Sequence, residues 1–122
     1  MLPPIRGRSV IIAGDNSRPD ILGRYLDEID LLIHECTYTQ KDYDHLQVKV
    51  LHTTAKDLGK AVQERHVKNV IASHINPRYS THGTDGVDSI YGEIKQYYKG
   101  RVFIANDLDV YRLSKDGMVE KL

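Results

Sequence analysis

The stretch Leu31-Leu32-Ile33-His34-Glu35-Cys36 decides the fold: a short, unbroken apolar run gives way at once to two titratable residues. Continuous apolarity, instead of alternation, is the pattern of a strand buried on both faces of a sheet. Working outward, the same form recurs at Val10-Ile11-Ile12-Ala13, Val70-Ile71-Ala72 and Val102-Phe103-Ile104-Ala105. Each run stops at polar or titratable groups: Gly14-Asp15, His34-Glu35, Ser73-His74 and Asn106-Asp107. In open α/β sheets, polar groups that act on ligands collect beyond the carboxyl ends of the strands.

Helical spacing fills the intervals. From Thr54 to Arg65, Ala55, Leu58, Ala61 and Val62 share a face, with Thr54 as N-cap and Asp57 completing a capping-box-like pair. A second helix is expected from Val87 to Tyr98, with Val87, Ile90, Tyr91, Ile94 and Tyr98 facing the core and Gly100 as terminator. A weaker one is expected over Pro19 to Leu26, with proline at the first helical position. Leu108 to Leu113 and Met118-Val119, joined through Lys115-Asp116-Gly117, predict a terminal hairpin, and residues 36–51 and 76–86 are expected as long loops. Strands alternating with helices give an α/β class.

Bulk properties narrow the function. At 122 residues the chain suits one domain, and its 40% hydrophobic and 28% charged content is that of a folded globular protein. Seventeen basic residues balance seventeen acidic ones, which argues against a broad cationic surface gripping nucleic acid by charge. No apolar run approaches a membrane span and the N-terminus has no signal-peptide pattern, so a cytoplasmic location is expected. Cys36 is the sole cysteine, which rules out an intrachain disulfide and leaves histidine and carboxylate as metal donors. A lone Asp or His at a strand end is more often a helix cap or a satisfied rim residue. Several together suit a divalent cation site.

The blocks Ala13-Gly14-Asp15-Asn16, Leu32-Ile33-His34-Glu35-Cys36-Thr37-Tyr38, His52-Thr53-Thr54 and Ser73-His74-Ile75-Asn76-Pro77-Arg78-Tyr79 resemble the GDT, HEATF, HST and THxSxRY motifs of the ribonuclease Z family, in order and approximate spacing. The resemblance implies a metallo-β-lactamase fold and a zinc-dependent phosphodiesterase that processes the 3′ end of tRNA by attack of metal-bound hydroxide. It implies that Asp15 bridges two zinc ions and His74 ligates one. It further implies that His52 assists the leaving oxygen and that Glu35 orients His52. Arg78 is a candidate contact to a phosphate oxygen, with a solvated structural arginine the alternative. Thr53 and Thr54 are candidate phosphate contacts, with capping the better-supported role. His34 reads as a hydrogen-bonded structural group, Cys36 as an inert buried thiol, and His45, His66 and His82 as surface residues. Among the tyrosines, Tyr38, Tyr43 and Tyr79 could stack bases, while packing accounts for most of the eight.

Three departures stand out. Asn16 replaces a threonine after the bridging aspartate and is expected to alter the orientation of Asp15, and Asn76-Pro77 replace small residues beside His74. The third is an absence: H-x-H-x-D-H, the family's first metal cluster, does not occur among the six histidines at 34, 45, 52, 66, 74 and 82. Two ligands remain where a catalytic zinc needs roughly three. The expectation is therefore that residues 1–122 form the C-terminal αβ half of an αββα sandwich, with zinc weakly bound or absent in this chain alone. Such a half exposes an apolar sheet face and pairs with the missing N-terminal half or a second copy, as a homo-oligomer. RNA is a possible substrate. The alternatives are a related hydrolase of a small phosphodiester or ester, and a non-catalytic, self-associating half-domain.

Overall fold

The computed structural model describes residue 2 and residues 7–80 and 86–122; His82 and most of the link before the last helix lie outside them. Four strands form a parallel sheet in the order β1-β2-β3-β4, with β1 at Val10–Ile12, β2 at Leu31–Glu35, β3 at Asn69–Ser73 and β4 at Arg101–Ile104. All four apolar runs are strands, and their register explains their composition. Ile11, Leu32, Val70 and Val102 pair in one row and all pack into the larger core. The adjacent row, Ile12, Ile33, Ile71 and Phe103, faces the opposite side, because successive side chains alternate across a strand. A strand covered on both sides needs apolar residues at every position.

Helices α2 (Ala55–Glu64) and α3 (Val87–Tyr97) cover the first face together with a 3₁₀ segment, Pro19–Leu26. Thr54 caps α2 by accepting the Asp57 amide, and Ala55, Leu58, Ala61 and Val62 are buried as their spacing predicts. Gly59 is also buried, for a different reason. A Cβ there would lie 2.9 Å from the Ile94 carbonyl oxygen of α3, so glycine sets how closely the two helices approach. On α3, Ile90 and Ile94 are buried but Tyr91 is exposed, since the apolar stripe is narrower than expected. Tyr98 leaves the helix in extended conformation and buries its ring. Gly100 is required by that ring: a Cβ there would stand 2.1 Å from the Tyr98 hydroxyl, and its φ is not left-handed. The Pro19–Leu26 segment is broken at Gly23, whose φ of 51° interrupts helical geometry.

The opposite face corrects one expectation. The hairpin β5 (Tyr111–Leu113) and β6 (Val119–Lys121) folds back over it and forms a second core from Leu31, Ile71 and Val119 with Phe103, Tyr111 and Leu113 around them. The sheet is therefore not bare over its centre. What stays open is the β1 edge, where Val10 is 45% and Ile12 74% exposed. Asn69 fastens the hairpin, donating from Nδ2 to the carbonyls of Asp30 at 2.7 Å and Gly117 at 2.8 Å, while its buried Oδ1 has no partner. The two long loops also carry structure: a short helix α1 (Gln40–Asp44) capped by Thr39, and a 3₁₀ turn Pro77–Tyr79 capped by Asn76. Among the described residues no helix is long and apolar enough to cross a membrane.

Candidate metal and catalytic site

The site is built around Glu35. Pairing of Glu35 with Ser73 extends β2 through both titratable residues, so His34 and Glu35 lie within the strand and not beyond it. Alternation then separates them. His34 is fully buried, with Nδ1 2.7 Å from the Glu35 carbonyl and Nε2 3.1 Å from Asn16 Nδ2, which makes it structural as the sequence reading has it. The Glu35 carboxylate, 1% exposed, instead gathers three donors. Its Oε1 accepts the Asn16 amide at 2.6 Å; its Oε2 accepts the Thr37 hydroxyl at 2.6 Å and the His52 Nδ1 at 2.8 Å. A buried carboxylate with this many donors is both held and satisfied.

Two imidazoles stand over it. His52 and His74 lie with ring centroids 5.1 Å apart and planes inclined at 30°. With Glu35 accepting at Nδ1, His52 keeps its proton there and turns Nε2 away from the carboxylate. For His74 the tautomer is set by Thr37. The Thr37 Oγ1 has a single proton, spent on Glu35 in the shortest of its contacts, so at 3.1 Å from His74 Nδ1 it can only accept. His74 thus carries its proton on Nδ1, leaving the Nε2 lone pair 3.8 Å from Asp15 Oδ1. That is the arrangement of a metal-binding imidazole whose other nitrogen is tied to a hydrogen-bonding group. His74 sits at φ 55°, an uncommon backbone conformation for a non-glycine residue. Asp15 is well exposed.

Two donor sets could hold a divalent cation. Asp15 with His74 Nε2 supplies oxygen and nitrogen on one side. Glu35, His52 and His74 form a second group, each offering a ligand atom within 4.8 Å of the others. Two histidines and a glutamate are a ligand set that zinc accepts, but here the His52 Nδ1 proton that Glu35 now holds would have to be given up or the ring turned.

The remaining sequence candidates are placed differently. Thr53 is buried, and its hydroxyl donates to the Asn16 carbonyl. Arg78 is exposed, with Nη2 3.8 Å from Asp42 Oδ1 and its guanidinium over the Tyr79 ring, away from Glu35. The Asn16 side chain binds His34 and the Arg18 carbonyl, so it braces β2 rather than contacting Asp15. Tyr79 is buried, donates to Asp42 and receives the Thr39 amide, which commits it to packing. Cys36 is buried, and burial pushes its thiol well up, away from the reactive thiolate. Thr37 is the residue the sequence reading missed; only its place two residues after Glu35, just past the end of β2, marks it.

No family model matches the chain. A ribonuclease Z of Marinobacter nauticus is 33% identical over 121 residues, 98% of this chain and 38% of that protein. One from Pseudomonas putida is 31% identical, over 93% of this chain and 36% of its own length. One from Methanocaldococcus jannaschii is 30% identical, over 95% and 37%. Among solved structures, the metallo-β-lactamase fold protein YhfI from Bacillus subtilis superimposes with a TM-score of 0.63 at 21% identity, over 93% of this chain and 40% of its own. The sheet, its helical cover and the hairpin are thus part of a metallo-β-lactamase fold. Within that fold the chain is a partial homologue of ribonuclease Z, and it spans well under half the length of the relatives it matches.

Proposed function

We propose that residues 1–122 are the C-terminal half of a zinc-dependent hydrolase of the ribonuclease Z type, acting on a phosphodiester in RNA when the other half is present. The observation that carries this reading is the Glu35 hub, which fixes His52 through Nδ1 and, by way of Thr37, His74 through Nδ1. Asp15 and His74 are the proposed metal ligands. When bound, zinc would supply Lewis acidity and neutralise phosphate charge. This chain's own residues do the rest. The outward Nε2 of His52 is placed to hand a proton to a leaving oxygen, and Glu35 stabilises the imidazolium before transfer. Thr53 and Arg78 remain the proposed phosphate contacts, though each must leave its present partner, Asn16 or Asp42, to serve.

Two further readings have their own support. The open β1 edge at Val10 and Ile12 suits a second protein surface, so the missing half is the proposed partner and a second copy its substitute. The group Glu35, His52 and His74 is the proposed place for a single ion if this chain binds one unaided. Elemental analysis decides between them, run on this chain and on the chain reassembled with an upstream half carrying H-x-H-x-D-H, beside cleavage of pre-tRNA and of a small phosphate bis-ester. About two zinc per chain and pre-tRNA cleavage only after reassembly support the proposal. Bis-ester hydrolysis without pre-tRNA cleavage moves the substrate to small esters. No metal and no hydrolysis in either form removes the enzyme reading.

A further inference from the structure

Glu93 lies on α3, and no motif includes it. Its half-buried carboxylate does an unusual thing: Oε2 accepts the Gln40 amide at 2.9 Å and the Lys56 amide at 3.0 Å. These are first-turn amides of two different helices, α1 and α2, which a helix cannot satisfy internally. Of the other first-turn amides, Asp42 is met by Thr39, Asp57 by Thr54 and Ala55 by the Tyr38 carbonyl. Among the described residues, Glu93 is therefore the one side chain that accepts from both helix starts.

What lies between those helix starts and the site is a short parallel ladder. Tyr38 bridges Thr54, the Thr37 amide donates to the Thr53 carbonyl at 3.0 Å, and the Ala55 amide donates to the Tyr38 carbonyl at 2.8 Å. The Thr54 hydroxyl donates to Gln40 Oε1 at 2.9 Å, closing the ladder at the Glu93 end. At its open end stand Thr37 and His52, the two side chains that share Glu35 Oε2. We propose that Glu93 is a positioning residue: by clamping the ends of segments 37–40 and 53–56, it holds His52 in line with Glu35. Without the clamp only the three hydrogen bonds of the ladder itself oppose a shear of the two segments. His52 has no other hydrogen-bonded anchor among the described residues than Glu35, so a shear of about an ångström suffices to lose it. The consequence for hydrolysis rests on the role proposed for His52; the placement itself does not.

The test is a long-range proton–nitrogen correlation of the histidine ring nitrogens in the whole chain, at a pH where the imidazoles are neutral. In the native chain His52 should show one fixed tautomer, with the proton on Nδ1. Glu93→Ala should release it to the mixture typical of free imidazole, while His34, anchored elsewhere, keeps its native signals. Glu93→Gln retains an acceptor oxygen for both amides and should restore the fixed tautomer. A fixed His52 in Glu93→Ala, or a mixture persisting in Glu93→Gln, overturns the proposal. Should Glu93→Ala fail to fold, Gln40→Pro replaces it: proline suits the first helical position after the extended Thr39, and it deletes one of the two donors together with the side-chain oxygen that accepts the Thr54 hydroxyl at the same end of the ladder. It should loosen His52 in the same direction, and an unchanged His52 signal there again overturns the clamp. Failure of the hydrolase reading leaves all of these spectra as expected, so the two failures are told apart.

Discussion

His34 Nε2 lies 3.1 Å from the Asn16 side-chain amide nitrogen, with its Nδ1 2.7 Å from the Glu35 carbonyl, so the buried ring is satisfied only as a neutral imidazole. A second proton would meet an N–H donor. Burial lowers the pKa of His34 from its ordinary value, outweighing the Glu35 carbonyl and charge that raise it. A folded pKa below the unfolded one means the unfolded chain binds more protons in the interval between them, so stability falls as pH falls through that interval. Melting temperature should be flat above about pH 7 and decline below it, starting near the ordinary histidine value of about 6.5. His34→Gln should abolish the decline in that window, and an unchanged slope in the variant would assign it to other groups.

Thr37→Val keeps shape and removes the hydroxyl that serves Glu35 and His74 together. Losing a buried hydrogen bond to a charged group should cost about 1–3 kcal/mol, read from urea denaturation. In the reassembled protein zinc affinity should fall about 10- to 100-fold, the usual cost of losing a group that orients a ligand, as measured by chelator competition. Native affinity in the variant would mean that His74 is oriented without Thr37.

Gly59→Ala places a methyl 2.9 Å from the Ile94 carbonyl oxygen and 3.1 Å from the Tyr97 Cβ. Alanine favours a helix by about 1 kcal/mol over glycine, so an unhindered site would gain stability. Overpacking against backbone should reverse the sign, with a net loss of about 1–3 kcal/mol in thermal or chemical denaturation. A stabilised variant would show that α2 and α3 can part without penalty.

Ile12→Lys tests the open edge of the sheet. At 74% exposure the isoleucine contributes little to the chain's own core, so stability should change by no more than about 0.5 kcal/mol. Sedimentation velocity at rising concentration should show self-association in the native chain and its loss in the variant. A monomeric native chain would mean that the hairpin covers enough of the sheet for the half to stand alone.

Much of this architecture was legible from periodicity. The four strands, both long helices and the terminal hairpin follow from where apolar residues fall, although β1 lies at the edge with Val10 and Ile12 exposed and is not buried as its apolar run suggests. The motif blocks located the residues that now surround Glu35. Less legible was everything decided by close approach. Gly100 reads as a helix terminator but is required by the Tyr98 ring, and Gly59 reads as a weak point in a helix but is its contact with α3. Thr37 and Glu93 escaped because each acts through hydrogen bonds to partners distant along the chain, 37 and 53 residues away for His74 and Gln40. Local pattern carries no trace of such pairs. Arg78 and Thr53 show the converse: side chains suited to phosphate that in the folded chain stand beside other partners, Arg78 in a loose ion pair with Asp42 and Thr53 in a hydrogen bond to the Asn16 carbonyl.

The position of Asn69 has a meaning for how this molecule can change over time. Its amide fastens the hairpin at the amino ends of the strands, while every group around Glu35 sits at the carboxyl ends, and no described hydrogen bond joins the two. Substitutions at the exposed hairpin positions Arg112 and Glu120 can therefore accumulate, and even alter what docks there, without disturbing the histidines at the other end of the sheet.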